Sequence, residues 1–287
     1  MHKFICIVTL ILFLTPAPIR AKEYYINANN IKITQGEYNN LQQLGFTKDE
    51  INSMNLQEFI NNKDINATLI SEEDQYYKTT TKIKNGNKIS TFELITKSQI
   101  PNEIKDNRYI NTEYDGIVET EYKHLHTSII KIDEHQYRYK ITLNWLKIPK
   151  VRSYDIIGIG IQPAYVKINS SIYAKQNYTY KDGTREESIT CIPIESKNGG
   201  SAIIKLPTGK LKKLSSYLYF NIKKANDNNV VTHMEAGGDY AHAIKRTSYK
   251  KALKHTINHS KGIQLEPKIQ KYYDGINVST ASWYGIW

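Results

Sequence analysis

The stretch His233–Ala243, HMEAGGDYAHA, holds residue types that could do chemistry. It sets two histidines, a glutamate and an aspartate around a Gly-Gly pair. A histidine in reach of a carboxylate can move protons, so the question is whether the two can meet. In a helical turn Asp239 and His242 share a face. In a strand they point to opposite faces and no dyad forms. The flanks NNVVTHMEAGG and AIKRTSY read as strand or loop. The expectation is therefore structural. The glycines supply freedom for a sharp reversal, Asp239 accepts hydrogen bonds from backbone N–H groups of that reversal, and His242 packs beside Tyr240 and Ile244.

A second possible chemistry is metal binding. His255 and His259 stand four apart in a segment read as a helix, a spacing that can hold a metal ion from one helical face. The stretch is HTINH, without the glutamate of H-E-x-x-H. His124 and His126 share one strand face and form another half-site. Either pair needs a carboxylate or third histidine from elsewhere, so both are weak metal candidates, and surface histidines are the favoured reading. There is no G-x-S-x-G elbow, no catalytic-cysteine context and no phosphate-cradling glycine loop. No cofactor is implied.

These residues must be positioned by the surrounding elements. The region 36–62 reads as two or three short helices. Thr47 with Glu50 and Asn55 with Glu58 have the spacing of capping boxes, and Phe46, Ile51, Met54, Leu56, Phe59 and Ile60 make one apolar side. From 69 to 231 the period shortens to two. In QYRYKITLNWL, Tyr137, Tyr139, Ile141, Leu143 and Trp145 alternate with Arg138, Lys140, Thr142 and Asn144, which reads as a strand with one wet face. In DIIGIGI (155–161) two glycines share a face, so something packs close to the backbone there. Asn85-Gly86 and Asp182-Gly183 read as hairpin turns, with Gly199-Gly200 a weaker third. A helix is expected over 248–262, then a return to strands and a docked C-terminal WYGIW. The fold class that follows is mainly β (α+β): an antiparallel β-sandwich or barrel-like core, a small N-terminal helical module and one C-terminal helix.

Residues 1–21 read as a secretory signal: a basic start, the apolar run FICIVTLILFL, and small residues near Ala21. The run is short of the roughly 20 residues that span a bilayer. The division expected is 1–21 signal peptide, 22–66 helical module and 67–287 β-rich domain. Cleavage would leave Cys191 as the single cysteine, so stability must come from packing rather than a disulfide. Cys191 itself reads as a buried apolar residue. The net charge of +11 favours polyanions, and the 22 tyrosines suit wet binding faces. The densest basic clusters, KLKK (210–213) and KRTSYKKALKH (245–255), are short and read first as solvated faces.

The segments NWLKIPKVRSYDIIGIG (144–160), DYAHA (239–243) and YYDGI (272–276) together resemble a group of exported, uncharacterised β-rich proteins of low-GC Gram-positive bacteria and their phages. The resemblance covers roughly 120 to the end. It implies secretion and fold class, and it transfers no site because no activity is assigned to the group. Arg152 and Asp155 in the first segment read as a salt bridge closing a turn.

The functional expectation is a secreted, non-enzymatic protein that binds a cell-wall, glycan or membrane surface. A polyanionic cell-wall polymer would be one such partner, and nucleic acid is disfavoured. Trp145, Arg152, Tyr240, His242 and Trp283 are the candidate binding residues. Two other classes stand beside it. A β-pore-forming toxin needs two runs of about ten alternating residues, and YYKTTTKIKNGNKISTFELITK (76–97) is charged on both faces. A metal-dependent hydrolase would need its histidines to converge.

Overall fold

The computed structural model describes residues 24–105, 117–182, 186–228, 230–259 and 261–286. The segment 1–21 read as a signal peptide lies outside the described residues, as do Gly183 of one expected hairpin and the terminal Trp287. The elements in chain order are β1 (Tyr24–Ile26), β2 (Lys32–Thr34), α1 (Gln35–Gln43), α2 (Lys48–Ser53), α3 (Leu56–Asn62), β3 (Thr68–Lys84), β4 (Asn87–Ile95), α4 (Asn102–Lys105), β5 (Ile117–Lys131), β6 (Tyr137–Lys147), β7 (Tyr154–Gly160) and β8 (Tyr165–Lys167). They continue with β9 (Tyr173–Tyr180), β10 (Glu186–Thr190), β11 (Ile192–Ser196), β12 (Gly199–Lys205), β13 (Leu211–Lys224), β14 (His233–Ala241), α5 (Tyr249–Ala252), β15 (His255–Asn258), β16 (Gly262–Leu265), α6 (Pro267–Gln270) and β17 (Asn277–Tyr284).

Two antiparallel sheets carry the fold, which is mainly β as expected. The larger runs β10-β9-β13-β6-β5-β3-β4, with β8 beside β13, and the smaller runs β11-β12-β7-β14-β17. The main core lies between them, where Leu125, Ile129, Ile141 and Leu143 meet Ile157, Ile159, Ala236 and Tyr240. Asn85 and Gly86 both take positive φ and make the β3–β4 turn that their sequence predicts.

The outer face of the larger sheet is covered by α1–α3, where Phe46, Ile51, Met54 and Phe59 pack with Ile130, Tyr217 and Tyr219, while Leu56 and Ile60, expected on the same apolar side, are exposed. The Thr47–Glu50 capping box forms in both directions. Asn55 caps α3 one way only, because the Glu58 carboxylate is drawn to the sheet instead. The covering corrects the reading of β6. Its supposed wet face is buried at Arg138, Lys140 and Thr142, and only Asn144 is partly open. Alternation identifies two faces but not whether the polar one meets water or another polar surface.

Two further expectations are corrected. The Gly-Gly pair does not reverse the chain. β14 runs straight through it, with Gly237 opposite Gly160 on β7 and Thr280 on β17. Gly238 is needed for close approach: a Cβ there would sit 2.4 Å from Thr127 Oγ1 on the facing sheet. The helix expected over 248–262 shrinks to the four residues of α5, and His255–Asn258 forms strand β15 paired with β16. That hairpin lies on the glycine face of β7. A Cβ at Gly158 would meet Ile263 at 2.9 Å, and one at Gly160 would meet the Asn258 carbonyl at 2.7 Å. The close approach read from DIIGIGI is thus present, and only a thin hairpin fits it. At the C-terminus, β17 pairs with β14 as far as Tyr284, yet Tyr284 and Ile286 are exposed. Docking there extends to Trp283, which is half-buried.

Candidate functional site

The side chains of HMEAGGDYAHA separate by strand parity. Met234, Ala236 and Tyr240 face the inter-sheet core, while Asp239 faces the β15–β16 hairpin. His242 follows the end of β14 and turns inward. Asp239 and His242 therefore do not meet, as strand geometry requires.

His242 finds its partners far away in sequence. Its Nδ1 lies 2.9 Å from Asp155 Oδ2 on β7, and its Nε2 lies 3.1 Å from Glu121 Oε1 on β5. The Tyr240 hydroxyl also donates to Asp155, and the Ala243 N–H donates to Asp155 Oδ1 at 2.9 Å. Beside this set, the Lys123 ammonium pairs with Asp274, whose Oδ1 accepts the His242 N–H at 3.0 Å. All of these groups are buried. Burial by itself would lower the pKa of His242, but Asp155 and Glu121 outweigh it and hold the imidazole protonated well above its ordinary range. Burial pushes Asp274 up, against the pull of Lys123. Trp145 closes the cluster edge-on, 4.8 Å from the His242 ring. None of these ionisable groups lines either of the two grooves described below. The cluster is a buried ionic knot.

Asp239 stands apart from the knot. Its Oδ2 accepts the Ile263 N–H at 2.6 Å, and burial pushes its pKa up to about 8. It does accept a backbone N–H, but from the β15–β16 hairpin and not from a local reversal.

The other candidates are placed as follows. Arg152 donates to the Pro149 carbonyl and, at 2.9 Å, to the Pro207 carbonyl. The expected Arg152–Asp155 salt bridge is replaced, because Asp155 is taken by His242, Tyr240 and Ala243. Tyr240 and His242 are sealed in the core, so neither offers a binding surface. Trp145 is 5% exposed, and Trp283 tilts against Tyr137 at 6.4 Å. His255 sets Nδ1 2.7 Å from the Ala252 carbonyl and Nε2 2.9 Å from Ser201 Oγ. His259 sets Nδ1 2.9 Å from the Ile161 carbonyl. Backbone acceptors thus occupy the pair proposed for metal. His124 and His126 do share a strand face, and both converge on Asp74 Oδ1 at 2.5 and 3.0 Å. Among the described residues no group of three or more His, Cys, Asp or Glu is arranged to hold a metal ion. Burial pushes the Cys191 thiol up to about 12, which makes it inert.

The open site lies on the outer face of the larger sheet, beyond the edge of the helices. It is a groove of about 490 Å³. Its floor carries His124, Asn144, Asn177, Thr179 and Ser215, with Tyr76 stacked on His124 at 4.4 Å. Trp145 forms part of its wall, and Lys97, Lys212 and Lys213 stand at its mouth against Asp49. Burial keeps the pKa of His124 below its ordinary value despite Asp74. Asn177 is 9% exposed, and among the described residues neither atom of its amide has a hydrogen-bond partner. A buried unpaired amide costs about 1–3 kcal/mol unless something binds it. A second groove, of about 610 Å³, opens at the other face of β9 and is lined by Tyr154, Tyr178, Tyr180 and Tyr249. The sequence signal for the first groove was the KLKK cluster, read as a solvated face. What it lacked was the distant strands that bring His124 and Asn177 beside it.

No family model and no curated protein matches the chain. Among solved structures the chain is similar to the collagen-binding domain of a Staphylococcus aureus adhesin, at 14% identity and a TM-score of 0.26, covering 38% of this chain and 77% of that one. It is similar to the collagen-binding domain of Erysipelothrix rhusiopathiae surface protein RspB at 6% identity, TM-score 0.27, covering 56% and 65% of the two chains. It is also similar to a collagen adhesin from S. aureus at 10% identity, TM-score 0.26, covering 76% and 85%. Among the described residues no helix is long and apolar enough to cross a membrane.

Proposed function

We propose that this is an exported, non-enzymatic protein that binds an anionic cell-wall polymer or glycan in the basic groove beside Asn177. The observation that carries the reading is the unpaired, buried Asn177 amide in a groove whose mouth holds three lysines against one aspartate. A sugar hydroxyl or acetamido group would satisfy the amide. Tyr76 offers a ring face for the apolar side of a pyranose, and the lysines would meet carboxylate or phosphate groups along the polymer. The net charge of +11 would raise the rate of encounter at low salt.

Sedimentation with purified Gram-positive cell walls tests the reading. Binding is expected to intact walls and to fall at least tenfold on walls stripped of their anionic polymers by acid. It is expected to fall similarly for the Lys97→Glu, Lys212→Glu, Lys213→Glu triple variant. Asn177→Ala should weaken binding with the unfolding midpoint held. Equal binding to stripped and intact walls would overturn the reading. Leakage from anionic liposomes would point to the pore-forming class instead.

A further inference from the structure

The ionic knot pairs Lys123 with Asp274 in a setting that suits more than a salt bridge. Both side chains are wholly shielded from solvent, and the ammonium and carboxylate are in direct contact. Trp145 and Tyr240 cover Nζ at 5.4 and 5.9 Å from their ring centroids. Asp274 Oδ1 accepts the His242 backbone N–H at 3.0 Å, and Oδ2 faces Lys123 with Thr79 Oγ1 at 3.5 Å. Glu121 sits two residues before Lys123 on the same face of β5, fully buried and within electrostatic reach of both groups. Two opposite charges held dry in this way carry a large desolvation penalty.

We propose that Lys123 and Asp274 form an intramolecular isopeptide bond. Nζ attacks Cγ of Asp274, the Nζ–Cγ bond forms, and the Cγ–Oδ2 bond breaks. The ammonium gives up two protons, which leave with Oδ2 as one water, so an ion pair becomes a neutral amide. No oxidant or co-reactant is needed. The His242 N–H stabilises the negative charge that grows on Oδ1. Glu121 relays the protons from nitrogen to the departing oxygen. The fold supplies the proximity that makes amide formation feasible without activation of the acid, and the closed aromatic cover keeps bulk water from reversing it.

The bond would tie β5 in the larger sheet to the segment entering β17 in the smaller one, closing a loop over most of the domain. It would do in this chain what a disulfide does elsewhere, since Cys191 is free and buried.

Mass spectrometry of the purified wild-type protein decides the matter. The expected result is an intact mass lighter by one water than the sequence between its determined ends. Digestion should yield the Lys123 and Asp274 peptides joined, and Asp274→Ala should abolish the joined peptide. Recovery of the two peptides separately from folded wild-type protein, with no water lost, would overturn the proposal. That measurement needs no variant to fold.

Discussion

Two buried charge layers flank the larger sheet, and they are built on different plans. On its outer face, Lys140 Nζ meets Glu50 at 2.9 and 3.0 Å, Lys175 Nζ meets Glu58 at 3.0 Å, and Arg138 donates to Asn62 at 2.7 Å. Each cation comes from a strand and meets an acceptor on a short helix, and each has a further partner: Thr142 for Lys140, the Ser53 carbonyl for Lys175 and Asn221 for Arg138. Tyr217 adds a hydrogen bond to Glu58 at 2.5 Å. On the inner side, the knot around His242 draws on β5, β7 and the segments after β14 and before β17. There, Asp155 serves His242, Tyr240 and Ala243 together. The outer seam seats the helices with one carboxylate facing each lysine. The inner knot has one cation, His242, between two carboxylates, so removing it leaves both Asp155 and Glu121 without a counter-charge. Burial alone does not make charges equivalent; the number of partners each one serves sets the consequence of losing it.

His242→Ala should be the most damaging change, because it leaves Asp155 and Glu121 buried without their cation. A loss of about 5 kcal/mol is expected in urea unfolding. A loss near that of a single seam pair would erase the distinction between the layers. In the seam, Lys140→Met alone should cost about 3–4 kcal/mol, while Lys140→Met with Glu50→Leu should recover about half of that, the cap bond to Thr47 and the Thr142 bond staying lost. Failure of the double variant to recover would mean that the seam, too, works as a unit.

Asp239 sharpens the contrast as a buried carboxylate paired with no cation among the described residues. Its pKa in the fold is about 8 against an ordinary 3.8, so the folded chain holds a proton that the unfolded chain releases. Its contribution to stability is fully present below pH 3.8 and is lost as pH rises to about 8. Asp239→Asn should flatten that slope in unfolding midpoints measured across the range. An unchanged slope would place the proton elsewhere. Gly238→Ala pushes a methyl toward Thr127 and Ile141 across the sheet interface, and a loss of about 1–3 kcal/mol is expected by thermal unfolding. Lys213→Ala breaks the exposed pair with Asp49. It should change stability by less than about 0.5 kcal/mol, the floor against which both buried layers are measured.

The local grammar was readable in the chain. Alternation marked β6, Asn85-Gly86 marked its hairpin, Thr47 and Asn55 marked helix starts, and the glycine face of β7 marked a close approach. Strand parity also kept Asp239 and His242 apart. Each of these depends on residues within a few positions of one another. The readings that failed concern what a face meets. The polar face of β6 was read as wet and is covered by helices. Gly237-Gly238 was read as a reversal and is a crossing point between sheets. His255 was read as helical and lies in a strand. The groove went unread because its floor and its mouth come from separate strands.

The sequence by itself determined the class of fold, the strand faces and the caps, because hydrophobic period and turn chemistry act over two to four residues. Only the tertiary structure decided which charges are buried and with whom. His242 meets Asp155 across 87 positions and Asp274 across 32. No local pattern encodes such a pairing, since it exists only once two sheets close on each other and exclude the water that would otherwise keep every one of these charges separate.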